Sequence, residues 1–185
     1  MSTDCITYHI DKNDRIVFLS HEWHSFAGNN RAEVLTSENV LNKSIYDFLA
    51  DGKVKHLYEL LIQRSRNEQV HIRLPFRCDS PDTRRYMAME VFPLANGFIA
   101  FRSCTLREEK REPVLLLDIS MHRSNDVLTI CSWCKRVKDD ENCWCEVEEA
   151  IQRMSLFNKN LLPELSHGMC TDCYENALIE LKDAN

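Results

Sequence analysis

Apolar positions alternate with polar ones at Ile6, Tyr8 and Ile10, and an Asp-Lys-Asn-Asp turn follows before "RIVFLS" resumes the apolar run. Two short strands around a polar turn predict a β-hairpin. The next segment, "HEWHSFAGNN", reads as a short helix ended by a Gly-Asn stop. Ser44 is placed to cap a turn holding Ile45, Phe48 and Leu49. Val54, Leu57, Leu60 and Leu61 then recur at helical spacing, which predicts an amphipathic helix over 53–67. Three strand-like runs follow, "VHIRLPFRCD", "RRYMAMEVFPL" and "GFIAFRSCTL". Val70, Ile72, Leu74 and Phe76 alternate cleanly in the first, whereas the second is less regular around Tyr86 to Met89. "DSPDT" and "ANG" supply the turns. Two strands, helices and three strands predict an α+β fold with a five-stranded antiparallel sheet.

That order of elements, with "HIDKNDRIVFLSHEWHSFAGNN" and "LNKSIYDFL" at its start, resembles a PAS-type sensory domain over residues 3–107. The resemblance implies a PAS-like sheet with a helical flank (1–107), used for ligand sensing or for dimerisation. The asparagine-cysteine-arginine-phenylalanine run of flavin-binding light sensors is not in the sequence. His9, His21, His24, His56 and His71 raise haem ligation, but nothing in their spacing selects an axial ligand. Residues 108–126 read as a connecting segment. Its "PVLLLD" is too apolar for a solvated linker, and is expected to pack on the first domain or across a dimer seam.

The second unit, 127–185, is set by its thiols. Cys131 and Cys134 form one pair separated by two residues, and Cys170 and Cys173 form another. Such spacing lets both sulfurs of a pair face one ion, and two pairs make a closed tetrahedral Zn²⁺ site with Zn–S bonds of ~2.3 Å. The 35 residues between the pairs exceed those of a minimal ribbon. They hold a helical pattern at Val147, Ile151 and Met154, and "YENALIELK" adds another with Ala177, Leu178 and Leu181 on one face. A small α-rich zinc-knuckle module is therefore expected. Its ion would supply on the order of 10 kcal/mol of folding free energy to a segment with few large apolar residues. Cys173 in the first turn of the last helix would benefit from amide donors, and Lys135, Arg136 and Lys138 could offset the centre's charge. Trp133 and Trp144 are expected to cover the metal, His167 to stand outside the ligand set, and Cys143 and Cys145 to be spectators. Cys5, Cys78 and Cys104 read as scattered buried thiols.

The run from Cys131 and Trp133 through Trp144, Glu148, Ser166, His167, Gly168 and Cys170 to Asp172 and Cys173 is similar to a module at the C-termini of bacterial signalling proteins. It departs at Thr171, where proline is common. The whole chain resembles a bacterial PAS-like protein with a C-terminal cysteine module. The implied role is a non-enzymatic signalling protein that engages a protein partner or a second copy of itself, and in which a small molecule could occupy the PAS-like domain.

Charge narrows the alternatives. The net charge is −6; residues 1–125 balance 17 basic against 17 acidic groups, whereas 126–185 hold 6 against 12. Phosphate backbones need a basic face, so nucleic-acid binding through this acidic half is disfavoured. No hydrophobic run approaches the ~20 residues of a membrane span and no secretory pattern opens the chain, so a cytoplasmic location is expected. No catalytic motif is recognisable, and four cysteines would close a zinc site to water. A thiol redox switch that releases zinc is the alternative suggested by nine cysteines.

Overall fold

The alternation at the N-terminus is realised as β1 (Cys5–Ile10) and β2 (Ile16–Leu19) of a computed structural model that describes residues 5–29 and 36–184. The side chain of Asp11 makes their turn. Its Oδ1 accepts the amides of Asn13 and Arg15 at 2.8 and 2.9 Å, and Asp14 takes the left-handed conformation at φ 60°. α1 (His21–Asn29) follows; the Gly-Asn stop expected at its end lies partly outside the described residues. After the short α2 (Ser37–Val40), Ser44 accepts the Tyr46 amide and starts a 3₁₀ turn over Ile45–Phe48. α3 (Gly52–Glu68) is capped by Asp51, whose Oδ1 accepts the Val54 amide at 3.0 Å. It buries Val54, Leu57, Leu61 and Ile62 against the sheet.

β3 (Ile72–Arg77), β4 (Thr83–Pro93) and β5 (Ile99–Lys110) complete a sheet of order β2-β1-β5-β4-β3, antiparallel throughout. The irregular alternation in β4 has a physical cause. Met87, Ala88 and Met89 are all buried, so this stretch of β4 is covered on both faces and an apolar–polar alternation is not required of it; the register shift next to it, between Tyr86 and Met87, leaves Leu106 of β5 as the extra residue. On the face covered by α3, the Tyr8 ring stacks on Phe101 at 4.8 Å and Tyr58 stacks on the same ring at 5.6 Å. Cys5 and Cys104, directly opposed on β1 and β5, form a disulfide. Reading them as scattered thiols is corrected here: 99 residues of sequence separation hide a pairing that the strand register creates.

The tail is not α-rich. It contains a second sheet, of order β8-β7-β6-β9, built from β6 (Arg123–Cys131), β7 (Val137–Lys138), β8 (Trp144–Cys145) and β9 (Leu162–Gly168), with β6 and β9 parallel. α4 (Val147–Arg153) packs on it through Val147, Ala150 and Ile151. Val114 and Leu116, from the run expected to pack on the first domain or across a dimer seam, enter this second core with Leu128, Ile130 and Leu156. α5 (Thr171–Asp183) leaves the tail altogether. It lies against α3 and β3 and buries Ala177 and Leu181 in the core of the first sheet. No helix among the described residues is long and apolar enough to cross a membrane.

An ionic cluster welds the two sheets. Arg77 at the end of β3 holds both carboxylate oxygens of Glu146 at 2.9 and 3.0 Å and also pairs with Asp79, whose side chain is fully buried. Arg111 reaches Asp79 at 3.4 Å and Glu148 at 3.1 Å, and Arg84 reaches Glu148 at 2.8 Å. Burial pulls the Arg77 guanidinium down, but its bonds to Asp79 and Glu146 more than offset this and keep it charged. Arg84 thus links β4 to α4, while Arg85 pairs with Glu108.

Candidate metal centre

Two tight turns bring the four thiols together. The first leaves β6 at Cys131 and returns through Lys135, which takes φ 63°; the Lys135 amide donates to the Cys131 carbonyl at 3.0 Å. The second leaves β9 at Gly168 and enters α5, for which Cys170 is the N-cap. The turns are tied to each other, because the Ser132 amide donates to the Gly168 carbonyl at 2.8 Å. Gly168 also packs closely on β6: a Cβ there would meet Thr129 Cγ2 at 3.1 Å, tighter than most side-chain contacts.

The Sγ atoms of Cys131, Cys134, Cys170 and Cys173 all lie within 4.8 Å of one another, and could hold a metal ion. Cys131 and Cys170 are buried, whereas Cys134 and Cys173 are half-buried. Backbone and guanidinium donors converge on the set. The Cys170 amide points at Cys131 Sγ and the Cys173 amide at Cys170 Sγ, both at 3.4 Å. Arg136 lies across the outside, with Nε 3.3 Å from Cys134 Sγ and Nη2 3.6 Å from Cys170 Sγ. Asp172 anchors that guanidinium at 2.9 Å. The helix-terminus amide expected to serve Cys173 thus serves Cys170, one turn earlier. Of the three basic residues expected to offset the charge, Arg136 reaches the sulfurs; Lys135 Nζ instead caps the Ser132 carbonyl at 2.9 Å.

Three of these thiols shift, and not in the same direction. Burial pushes Cys170 up to about 11, and hydrogen bonding to the neighbouring sulfurs of Cys131 and Cys134 raises Cys173. Cys131 moves down, because Cys134, Cys173 and the Cys170 amide donate to its sulfur. A soft divalent cation removes this conflict by replacing the shared protons.

Trp133, which shares a core with Cys131 and Cys170, ties the first turn to β3. Its ring packs against Phe76, its Nε1 donates to the Pro75 carbonyl at 2.7 Å, and its own carbonyl accepts the Arg77 amide at 2.7 Å. β3 is an edge strand, and the first knuckle therefore closes hydrogen-bonding positions that would otherwise stay open. Cys131, Trp133, Met169 and Cys170 belong to the same core as Ile10, Leu57 and Phe101. Trp144 packs against this core too, and Cys145 is buried in the second one. Cys143 is exposed, and neither it nor Cys145 joins the cluster. The histidines raised for haem stay apart: His9 lies against Phe18, His71 against Phe92, and His56 bonds Tyr174 on α5.

The welding cluster of Arg77, Arg84, Arg111, Asp79, Glu146 and Glu148 was missed by sequence reasoning. No local signal announces it, because 64 to 69 residues of chain separate Arg84 and Arg77 from Glu148 and Glu146. No protein-family model matches the chain, and no curated protein matches it.

Proposed function

We propose that this chain is a non-enzymatic regulatory protein of the PAS type, whose five-stranded unit senses a small ligand or dimerises and whose tail is clasped by one structural zinc ion. The observation that supports it most is the position of the four sulfurs. They sit where the tail grips the edge of the first sheet and the helix α3, so metal occupancy and the packing of that sheet form one cooperative unit. Zinc fits the donor set. Four thiolates leave no position for water, and ~2.3 Å bonds in a tetrahedron place sulfurs roughly 3.8 Å apart. Cys134 and Cys170 Sγ are 3.9 Å apart. Cys131, Cys134, Cys170 and Cys173 would hold the ion, and the ion would supply folding free energy rather than a reactive water. Arg136 would balance part of the net negative charge of such a centre. The free thiols of the cluster suit a reducing, cytoplasmic setting, whereas the Cys5–Cys104 disulfide suits an oxidising one, so location carries no part of this reading. The acidic tail suits a protein partner or a second copy better than nucleic acid.

Native mass spectrometry of the full chain, isolated without added metal and with partners retained, tests this reading. The expected result is one zinc per chain, together with a dimer, a co-purifying protein or a retained small molecule. A metal-free monomer that holds no ligand and captures no protein contradicts it.

The half-buried state of Cys134 and Cys173 favours a second reading, in which the same centre also responds to thiol-reactive compounds.

A further inference from the structure

We propose that Cys173 is the sulfur at which the cluster opens to covalent modification, and that its reagent is an apolar soft electrophile of the enone class. The inference rests on the metal-clasp reading above and adds a site and a chemistry to it.

The four sulfurs are not equally protected. Cys131 accepts the Cys170 amide, Cys170 accepts the Cys173 amide and Arg136 Nη2, and Cys134 accepts Arg136 Nε. Among the described residues no N–H donor points at Cys173 Sγ. A hydrogen bond to a thiolate stabilises the lone pair that must be given to a new bond, so donors slow attack and their absence favours it. Cys173 is also half-buried rather than buried.

An independent feature supplies access. A groove of about 370 Å³ runs between the β3 edge and α5, and Cys173 and Cys134 form part of its wall. The rest is mainly apolar, from Leu74, Phe76, Trp133, Ala177 and Ile179, with Arg77 and Glu180 also on the wall. Such a lining rewards an apolar reagent, and Arg77 is already engaged by Asp79 and Glu146 and so offers little to an anionic one. Of the two sulfurs on the wall, Cys134 is guarded by Arg136.

The step balances without an oxidant. The sulfur lone pair forms a C–S bond at the β-carbon, the C=C π pair moves to the carbonyl as an enolate, and water supplies the α-proton. The thioether that results is a poor ligand, so the centre is left with three thiolates and holds its ion less tightly.

The test treats the full-length, metal-bearing protein with substoichiometric N-phenylmaleimide, maps adducts by peptide mass spectrometry and measures bound metal on the same sample. Cys173 is expected to be labelled at least roughly fivefold over each of Cys131, Cys134 and Cys170, the factor one withheld hydrogen bond of ordinary strength supplies. Arg136→Met is expected to raise Cys134 toward the Cys173 level. N-phenylmaleimide is expected to outpace N-carboxymethylmaleimide at Cys173 once both rates are normalised to N-acetylcysteine. Even labelling of the four cysteines on protein with one metal per chain overturns this inference and leaves the clasp standing. Even labelling on protein that binds no metal overturns both. An unchanged Cys134 rate in the Arg136 variant contradicts the shielding, and a preference for the charged maleimide contradicts the groove.

Discussion

Exchanging Cys170 for serine is expected to lower the thermal midpoint by roughly 10–20 °C, the shift that about 5 kcal/mol produces in a chain of this size. The loss has three parts. The ion loses one of four thiolates, α5 loses the N-cap sulfur that accepts the Cys173 amide, and Arg136 loses one of the two sulfurs it spans. The damage should not stay in the tail. Cys131, Trp133, Met169, Cys170, Ala177 and Leu181 share a core with residues of β1, α3, β3, β4 and β5. Hydrogen exchange is therefore expected to accelerate over 131–136 and 168–183 and also at the Arg77 amide, whose acceptor is the Trp133 carbonyl. Chelation of the wild-type protein should reproduce the same pattern. Calorimetry showing an unaltered midpoint in Cys170→Ser would remove the ion from the account of stability.

Asp79→Ala is expected to cost about 3–5 kcal/mol in chemical denaturation, the usual effect of removing one partner from a buried ion pair. The Asp79 side chain is fully buried and faces both Arg77 and Arg111, which are 11% and 10% exposed. Without it, two guanidinium groups remain in a site with too little negative charge. Glu146 and Glu148 cannot fully compensate, because they are 41% and 37% exposed and already shared with Arg84. The penalty comes from stranded charge and not from lost attraction, so an apolar replacement of both Asp79 and Arg77 should recover much of it. A cost for Asp79→Ala of less than about 0.5 kcal/mol, as for an ordinary surface change, would mean the cluster is solvated.

The elements that sequence revealed are those that local chemistry determines. The hairpin is written in Asp11 and the alternation flanking it, α3 in Asp51 and the spacing of Val54, Leu57 and Leu61, and the cysteine pairs in their two-residue gaps. What stayed hidden is set by contacts between distant segments. β9 buries mainly Pro163 and Gly168, so its sequence has no strand-like apolar alternation; its partner β6 runs parallel, and the two meet only through a crossover containing α4. The apolar face of α5 was visible at Ala177 and Leu181, but nothing local says that it serves the first sheet's core. Arg77 and Arg84 find Glu146 and Glu148 across 64 to 69 residues of chain, a pairing that charge patterning within either segment does not encode. The four cysteines were legible as a set; that the turn between Cys131 and Cys134 bonds to an edge strand through Trp133 was not.

X-ray absorption at the metal edge of protein purified without added metal tests the central claim most directly. The account predicts zinc at one ion per chain with a first shell of four sulfurs at ~2.3 Å and no nitrogen or oxygen. A shell containing nitrogen or oxygen, or protein that stays folded with Cys131, Cys134, Cys170 and Cys173 intact and no bound ion, would contradict it.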